Sequence, residues 1–298
     1  MRYTTSQRFH PVSFKDEPIM TDITEYIDQD YAGNGRQSQK LYLAIPAGAS
    51  AGHPVPVVIY IHGGGWIGGT FAPGSTGLAT GRDDTNAFLE AGYAVAVINY
   101  RLSTEARWPA QIHDCKAAVR FLRAHAGKYG IDPDRIVAWG ASAGAHLAQF
   151  LGFTNGDARY DDPASAASGV SSTVNLVIAA FGISDISRWV LPGPRYDEVE
   201  DYKTKLLGTG YTQEAAHDAS PIDHVHAGMA PMLLAHADDD ALVPCDQTHW
   251  LEAAIHEVGG GASIETWYPH TGGHGDPRVW RAPEATDRFI DFCDRHLR

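Results

Sequence analysis

The chain is poor in cysteine, poor in positive charge and without a long apolar run, and each shortage closes a class of explanation. Three cysteines in 298 residues, Cys115, Cys245 and Cys293, stand far apart and form no Cys-x-x-Cys. That spacing supports neither a disulfide framework nor a zinc knuckle, and small buried hydrophobes are the plainer reading. Lys and Arg number 23 against 36 Asp and Glu, giving a net charge of −13 at pH 7. A surface of that sign repels phosphate backbones and anionic lipid, so nucleic acid and membrane are excluded as partners while a small neutral molecule is not. No run approaches the length needed to span a bilayer. The first twenty residues carry Arg2, Arg8, Lys15, Asp16 and Glu17 and no apolar centre, so no secretory signal is read there and a cytoplasmic location is expected. Repeats and low-complexity tracts are missing too, and the oligomeric state is left open, a homo-oligomer included.

What is present is 44% hydrophobic residues over a length suited to one large α/β domain, expected to take in 1–298. Two early strands, around residues 25–27 and 41–45, are expected to pair as a hairpin through Asn34-Gly35. Val57-Val58-Ile59-Tyr60-Ile61 is too continuously apolar for a sheet with one wet face. Residues 86–91 read as a short helix stopped by Gly92, followed by a strand over 94–100, which makes a βαβ crossover. Ile112, Cys115, Val119, Leu122 and Ala126 form a helical stripe. Strands follow at 175–181, 232–236 and 264–268, with helices at about 246–258 and 284–297. This alternation predicts a mostly parallel sheet of about eight strands with helices on both faces, and chemistry at the strands' carboxyl ends. The stretch between Asp185 and Met229 is too long for a plain connection, and about 186–218 of it is read as a cover over the site.

Within this pattern, Arg135-Ile136-Val137-Ala138-Trp139 is an apolar strand that breaks on Gly140-Ala141-Ser142-Ala143-Gly144 and resumes with helical spacing. A serine on such a turn is lifted clear of the sheet, and Ser142 is the candidate nucleophile. A serine hydroxyl needs a base to take its proton and a third group to orient that base. His274, between glycines after the last strand, is the candidate base. The loop after residue 236 offers Asp238, Asp239 and Asp240, of which Asp240 is chosen, with Asp185 past another strand as rival. The order serine, aspartate, histidine is that expected for a nucleophile on an elbow. An oxyanion needs donors, and the His62-Gly63-Gly64-Gly65-Trp66 loop exposes backbone N–H groups without side chains in the way. Gly64, Gly65 and Ala143 are the candidate donors. Trp66, Phe71, Trp189 and Tyr196 are candidates for the substrate pocket, with packing an equal explanation for any lone aromatic. Specificity is expected in the loops at 67–83 and 186–218.

These motifs resemble the α/β-hydrolase superfamily, and within it the carboxylesterases with an HGGG loop, such as hormone-sensitive-lipase-like enzymes and bacterial feruloyl and acetyl xylan esterases. The resemblance runs from about Val55 to His274 and includes His62–Trp66, Asn99-Tyr100-Arg101-Leu102, Asp132–Ile136, Gly140–Gly144, Ser220-Pro221 and His236–Pro244. The family's His-Gly-x-x-Asp-x-x-Val-Pro falls on His236, Ala237, Asp240, Val243 and Pro244, which separates Asp240 from its neighbours. The resemblance implies hydrolysis of a small-molecule ester through an acyl-enzyme, without metal or cofactor. Ala145 and Ala237 stand where the family usually has glycine, and Ala141 with Gly273 exclude the branch that pairs two cysteines beside the serine and histidine. Two competing readings share the scaffold: an amide hydrolase of the arylformamidase type, and a ligand-binding protein without activity. His270, four residues before His274, sits on a glycine-broken loop that does not favour a metal pair.

Overall fold

The structure, a computed structural model, describes residues 23–71, 82–162, 166–191, 193, 195–259 and 264–298. Readings made on the first twenty residues, and those parts of the loops at 67–83 and 186–218 that fall on 72–81, 192 and 194, lie outside the described residues. Among the described residues eight strands form one sheet: β1 (Thr24–Asp30), β2 (Lys40–Ile45), β3 (Val55–Ile61), β4 (Ala94–Ile98), β5 (Ile131–Ala141), β6 (Leu176–Ala180), β7 (Met232–Ala235) and β8 (Ile264–Trp267). The helices are α1 (Arg82–Glu90), α2 (Ala110–Ala124), α3 (Ala126–Tyr129), α4 (Ala143–Phe153), α5 (Arg195–Leu207), α6 (Gln213–Asp218), α7 (Asp246–Glu257), α8 (Pro277–Trp280) and α9 (Pro283–Leu297).

The strand order is β1-β2-β4-β3-β5-β6-β7-β8. Strands β1 and β2 pair antiparallel, as do β2 and β4, and every other neighbouring pair is parallel. The first connection is longer than a two-residue hairpin turn, because the Asp30 carboxylate gathers the amides of Ala32, Gly33 and Gly35 into a wider loop. The apolar runs divide by the pleat. Val57, Ile59 and Ile61 point to the face covered by Ile112, Val119 and Leu122 of α2 and Leu147 and Leu151 of α4. Val58 and Tyr60 point to the opposite face, against Phe88 of α1 and Phe289 and Phe292 of α9. A central strand buried on both faces has no room for polar alternation, and the sequence carries none.

Two details depart from expectation. Strand β5 begins at Ile131, ahead of Asp132-Pro133, with a register irregularity against β3 between Val55 and Val57. The stretch after Asp185, read from the sequence as a long excursion, contains the helices α5 and α6. Asp197 and Glu198 in the first turn and Lys205 in the last complement the dipole of α5, and Thr212 caps α6 through the Ala215 amide.

Candidate active site

The turn from β5 to α4 is built by what two glycines leave out. A Cβ on Gly144 would collide with the Ile61 carbonyl of β3, and one on Gly140 with the Gly144 carbonyl. Without them the backbone reverses within one residue, and Ser142 takes φ 56° and ψ −123°, a strained conformation for a residue with a side chain. The Ser142 amide donates to the Ala180 carbonyl of β6 at 2.9 Å, and its carbonyl accepts the first α4 bond from the His146 amide at 3.1 Å. Strain held between two elements in this way is a feature of functional turns.

Ser142, His274 and Asp240 meet. His274 Nε2 lies 2.8 Å from Ser142 Oγ, and His274 Nδ1 lies 2.7 Å from Asp240 Oδ2. Residues 132 apart in sequence are thus within bonding distance. Asp240 is fixed from several sides. Its Oδ1 accepts the amides of Leu242 and Val243, each at 2.9 Å, and its Oδ2 also lies 3.3 Å from His236 Nε2. Burial works to raise the Asp240 carboxyl, but hydrogen bonds from His236, His274 and the Val243 amide outweigh it and hold the group well below the ordinary carboxylate range. It stands ionised behind His274.

The other aspartates of that loop have separate tasks. Asp238 Oδ2 pairs with the exposed His270 Nδ1 at 2.8 Å, and Asp239 Oδ1 accepts the Gly273 amide at 2.7 Å. Together the three side chains stitch the loop after β7 to the loop after β8. Asp185 is engaged elsewhere, with the Ser187 hydroxyl and the Arg188 guanidinium, each at 2.5 Å. Among the described residues no group of three or more His, Cys, Asp or Glu is arranged to hold a metal ion.

The loop after β3 wraps the serine from the other side. Gly64 and Gly65 have φ of 105° and 60°, open to glycine alone at little cost. Among the described residues the amides of Gly64, Gly65 and Ala143 donate to no protein acceptor, and Ala143 opens α4, where the first N–H groups have no helical partner. His62 carries the loop: its Nδ1 lies 2.8 Å from the Gly63 carbonyl, its ring stacks on Tyr100 at 4.4 Å, and the Tyr100 hydroxyl donates to the His62 carbonyl. Burial pushes the His62 imidazole down to about 4, partly offset by the bond to Gly63.

A cavity of about 380 Å³ opens on Ser142 and His274. Its wall is made of Tyr60, Trp139, Phe181, Trp280 and Phe289 from the core on the α1 and α9 side of the sheet, of Ile183, Trp189, Tyr202 and Leu242 from the core on the α2 and α4 side, and of Ile67. Of the four aromatics singled out from the sequence, Trp189 is on this wall, its Nε1 donating to the Leu242 carbonyl at 3.1 Å. The other three are not. Trp66 is fully buried against His146 and Trp189, with ring centroids at 5.0 and 6.2 Å. Phe71 is buried on the α1 and α9 side, its amide tied to Asn99 Oδ1. Tyr196 is on the surface, 48% exposed. Tyr202 of α5 was not anticipated: a Cβ on Gly65 would stand 2.5 Å from its ring, so the missing side chain of one residue seats the other. The two family departures are also accommodated. Ala145 faces Gly182, and Ala237 faces Gly272, so a glycine opposite each alanine makes room for the methyl group.

A sheet of this order, a serine on a strained strand-to-helix turn and a histidine and aspartate lined up behind it define the α/β-hydrolase class. Within that class the chain belongs to the BD-FAE family, whose profile matches residues 42–255, well over half of it. It is similar to esterase LipC of Mycobacterium tuberculosis, 30% identical over 195 residues that make up 65% of this chain and 46% of that protein. The chain therefore spans about half the length of that relative. It is also similar to kynurenine formamidase avaC of Aspergillus versicolor, 27% identical over 258 residues, 76% of this chain and 84% of that one. Among solved structures, a truncated form of a carbohydrate esterase from gut microbiota superimposes with a TM-score of 0.80 at 28% identity, covering 92% of this chain and 96% of that one. No described helix is long and apolar enough to cross a membrane.

Proposed function

We propose that the protein is a serine hydrolase that cleaves short-chain or aromatic carboxylic esters of small molecules through an acyl-enzyme. The observation that carries this is the continuous hydrogen-bonded line from Asp240 through His274 to Ser142, at 2.7 and 2.8 Å. His274 Nε2 takes the proton from Ser142 Oγ as the oxygen attacks the ester carbonyl, and Asp240 stabilises the imidazolium that forms. The carbonyl oxygen becomes an oxyanion held by the amides of Gly64, Gly65 and Ala143, each donor worth about 3 kcal/mol in the transition state. His274 returns its proton to the leaving alkoxide. Water, activated by the same histidine, then releases the acid. No step needs a metal or cofactor. The name of LipC, an esterase, supports the reading. Ser142→Ala tests it: hydrolysis of short p-nitrophenyl esters and labelling by a fluorophosphonate should both disappear with the fold intact, and retained turnover refutes it.

The reading takes 1–298 as one domain with 186–218 as its cover, supported by Trp189 and Tyr202 lying on the cavity wall. The three cysteines, all unpaired and buried, suit a reducing compartment and a cytoplasmic site of action, which cell fractionation tests. A second reading, hydrolysis of a formamide, is favoured by the similarity to a kynurenine formamidase. The same groups serve it, since the difference lies in protonating a poorer leaving group. Rates on an ester and its matching formamide decide between them.

A further inference from the structure

We infer that His236 is a positioning residue for the Asp240–His274 pair and that Thr248 supports it by satisfying its second ring nitrogen; this rests on the hydrolase reading above. His236 directly follows β7 and is fully buried. Its Nε2 stands 2.8 Å from the Val243 carbonyl and 3.3 Å from Asp240 Oδ2. Both are acceptors, so Nε2 carries a proton and donates. Its Nδ1 stands 2.7 Å from the hydroxyl of Thr248 in α7, a group able to donate to it. The Val243 carbonyl and the Asp240 carboxylate, which can only accept, thus fix the tautomer, and the Thr248 hydroxyl completes it by donating to the Nδ1 lone pair.

The consequence falls on Asp240. Oδ2 accepts from two imidazoles, His236 behind and His274 in front, while Oδ1 accepts two backbone amides. Four donors leave the carboxylate no rotation, and a fixed carboxylate aims His274 at Ser142. In the other tautomer His236 would set a lone pair against Asp240 Oδ2 and the Val243 carbonyl, and repulsion would turn the carboxylate away from His274. Neither His236 nor Thr248 lines the cavity, so the effect belongs in kcat and not in KM.

The test uses His236→Leu, His236→Gln and Thr248→Val. A glutamine amide nitrogen reaches about where Nε2 stands, and valine removes the Thr248 hydroxyl while keeping its shape. Readouts are kcat and KM on a short p-nitrophenyl ester, and the far-downfield proton resonance of the His274 Nδ1–H. Misplacement on the 1 Å scale lowers rates by about 100-fold, so His236→Leu should lose between about 10- and 100-fold in kcat with KM unchanged. Thr248→Val should fall in the same direction and His236→Gln should recover most of the rate, with the resonance displaced in the first two and restored in the third. Wild-type kcat in folded Thr248→Val, or equal losses in His236→Leu and His236→Gln with the resonance unmoved, would overturn the inference. If His236→Leu does not fold, the other two variants decide. A wild-type protein neither active nor labelled at Ser142 would instead sink the hydrolase reading itself.

Discussion

Gly65→Ala separates the demands of the backbone from those of the cavity. The added Cβ would lie 2.5, 2.6 and 3.3 Å from three ring carbons of Tyr202, where ordinary carbon contacts need about 3.5 Å or more. Either the ring or the loop must give by about 1 Å. The loop is the weaker party in function, because in the proposed mechanism the Gly65 amide holds the oxyanion, and 1 Å of misplacement costs about 100-fold in rate, or about 2.7 kcal/mol. A second penalty is conformational: alanine at φ +60° costs about 1–2 kcal/mol of stability wherever the ring is. The double variant Gly65→Ala/Tyr202→Ala removes the collision and keeps the backbone penalty. Steady-state kinetics on a short p-nitrophenyl ester with urea unfolding should show kcat depressed by about 100-fold in the single variant. In the double variant kcat should recover to within about 10-fold while the stability loss persists, a coupling of about 1–2 kcal/mol. Tyr202→Ala alone should raise KM, since the ring is cavity wall. A double variant as slow as the single one, or a single variant at full rate, would refute the reasoning.

Asp240→Asn should lower kcat by about 10⁴-fold by presenting His274 with a donor in place of an acceptor, whereas Asp185→Asn, whose carboxyl binds Ser187 and Arg188, should leave kcat near wild type; matched kinetics on the two variants check this. Burial lowers both His62 and His146 from 6.5 to about 4, so the unfolded chain binds more protons between those values and stability rises with pH there. Each histidine contributes stability of the order of 3 kcal/mol that is fully present above pH 6.5 and lost progressively as pH falls toward 4; urea midpoints measured from pH 7.5 to 4.5 should fall, and a flat profile would contradict the buried neutral rings. Gly144→Ala should cost more than about 4 kcal/mol or abolish folding, because its Cβ meets a strand carbonyl that cannot move alone; a soluble variant with a wild-type melting temperature would be the contrary result.

The frame was legible because it repeats one rule. Val57 to Ile61 is apolar at every position, and only a strand covered on both sides tolerates that, so the parallel sheet follows from composition. Ser142, Asp240 and His274 were visible for a related reason: each follows a strand, where a parallel sheet gathers its loops, and glycines mark the turns at the first and last. Aromatic type carried far less. Trp66 and Phe71 read the same whether they line a cavity or fill a core, and only the packing around His146 and Asn99 assigns them to the core. Tyr202 gave no signal, since it stands in a charged helix and meets Gly65 only through an absent side chain 137 positions earlier. The second task of His236 was equally hidden, because it depends on which ring nitrogen faces Thr248 and which faces Asp240.

The parts of the cavity wall differ in ancestry within the chain. Tyr60 and Trp139 are planks of the central floor and Phe289 a rib behind it, so altering them disturbs the building itself. Trp189 and Tyr202 come from the long connection after β6, away from the strands themselves, and its contour can drift while the beams stand. Whatever molecule fills the space is therefore gripped by a conservative hand and a changeable one. New preferences among descendants of this chain should arise from that connection first.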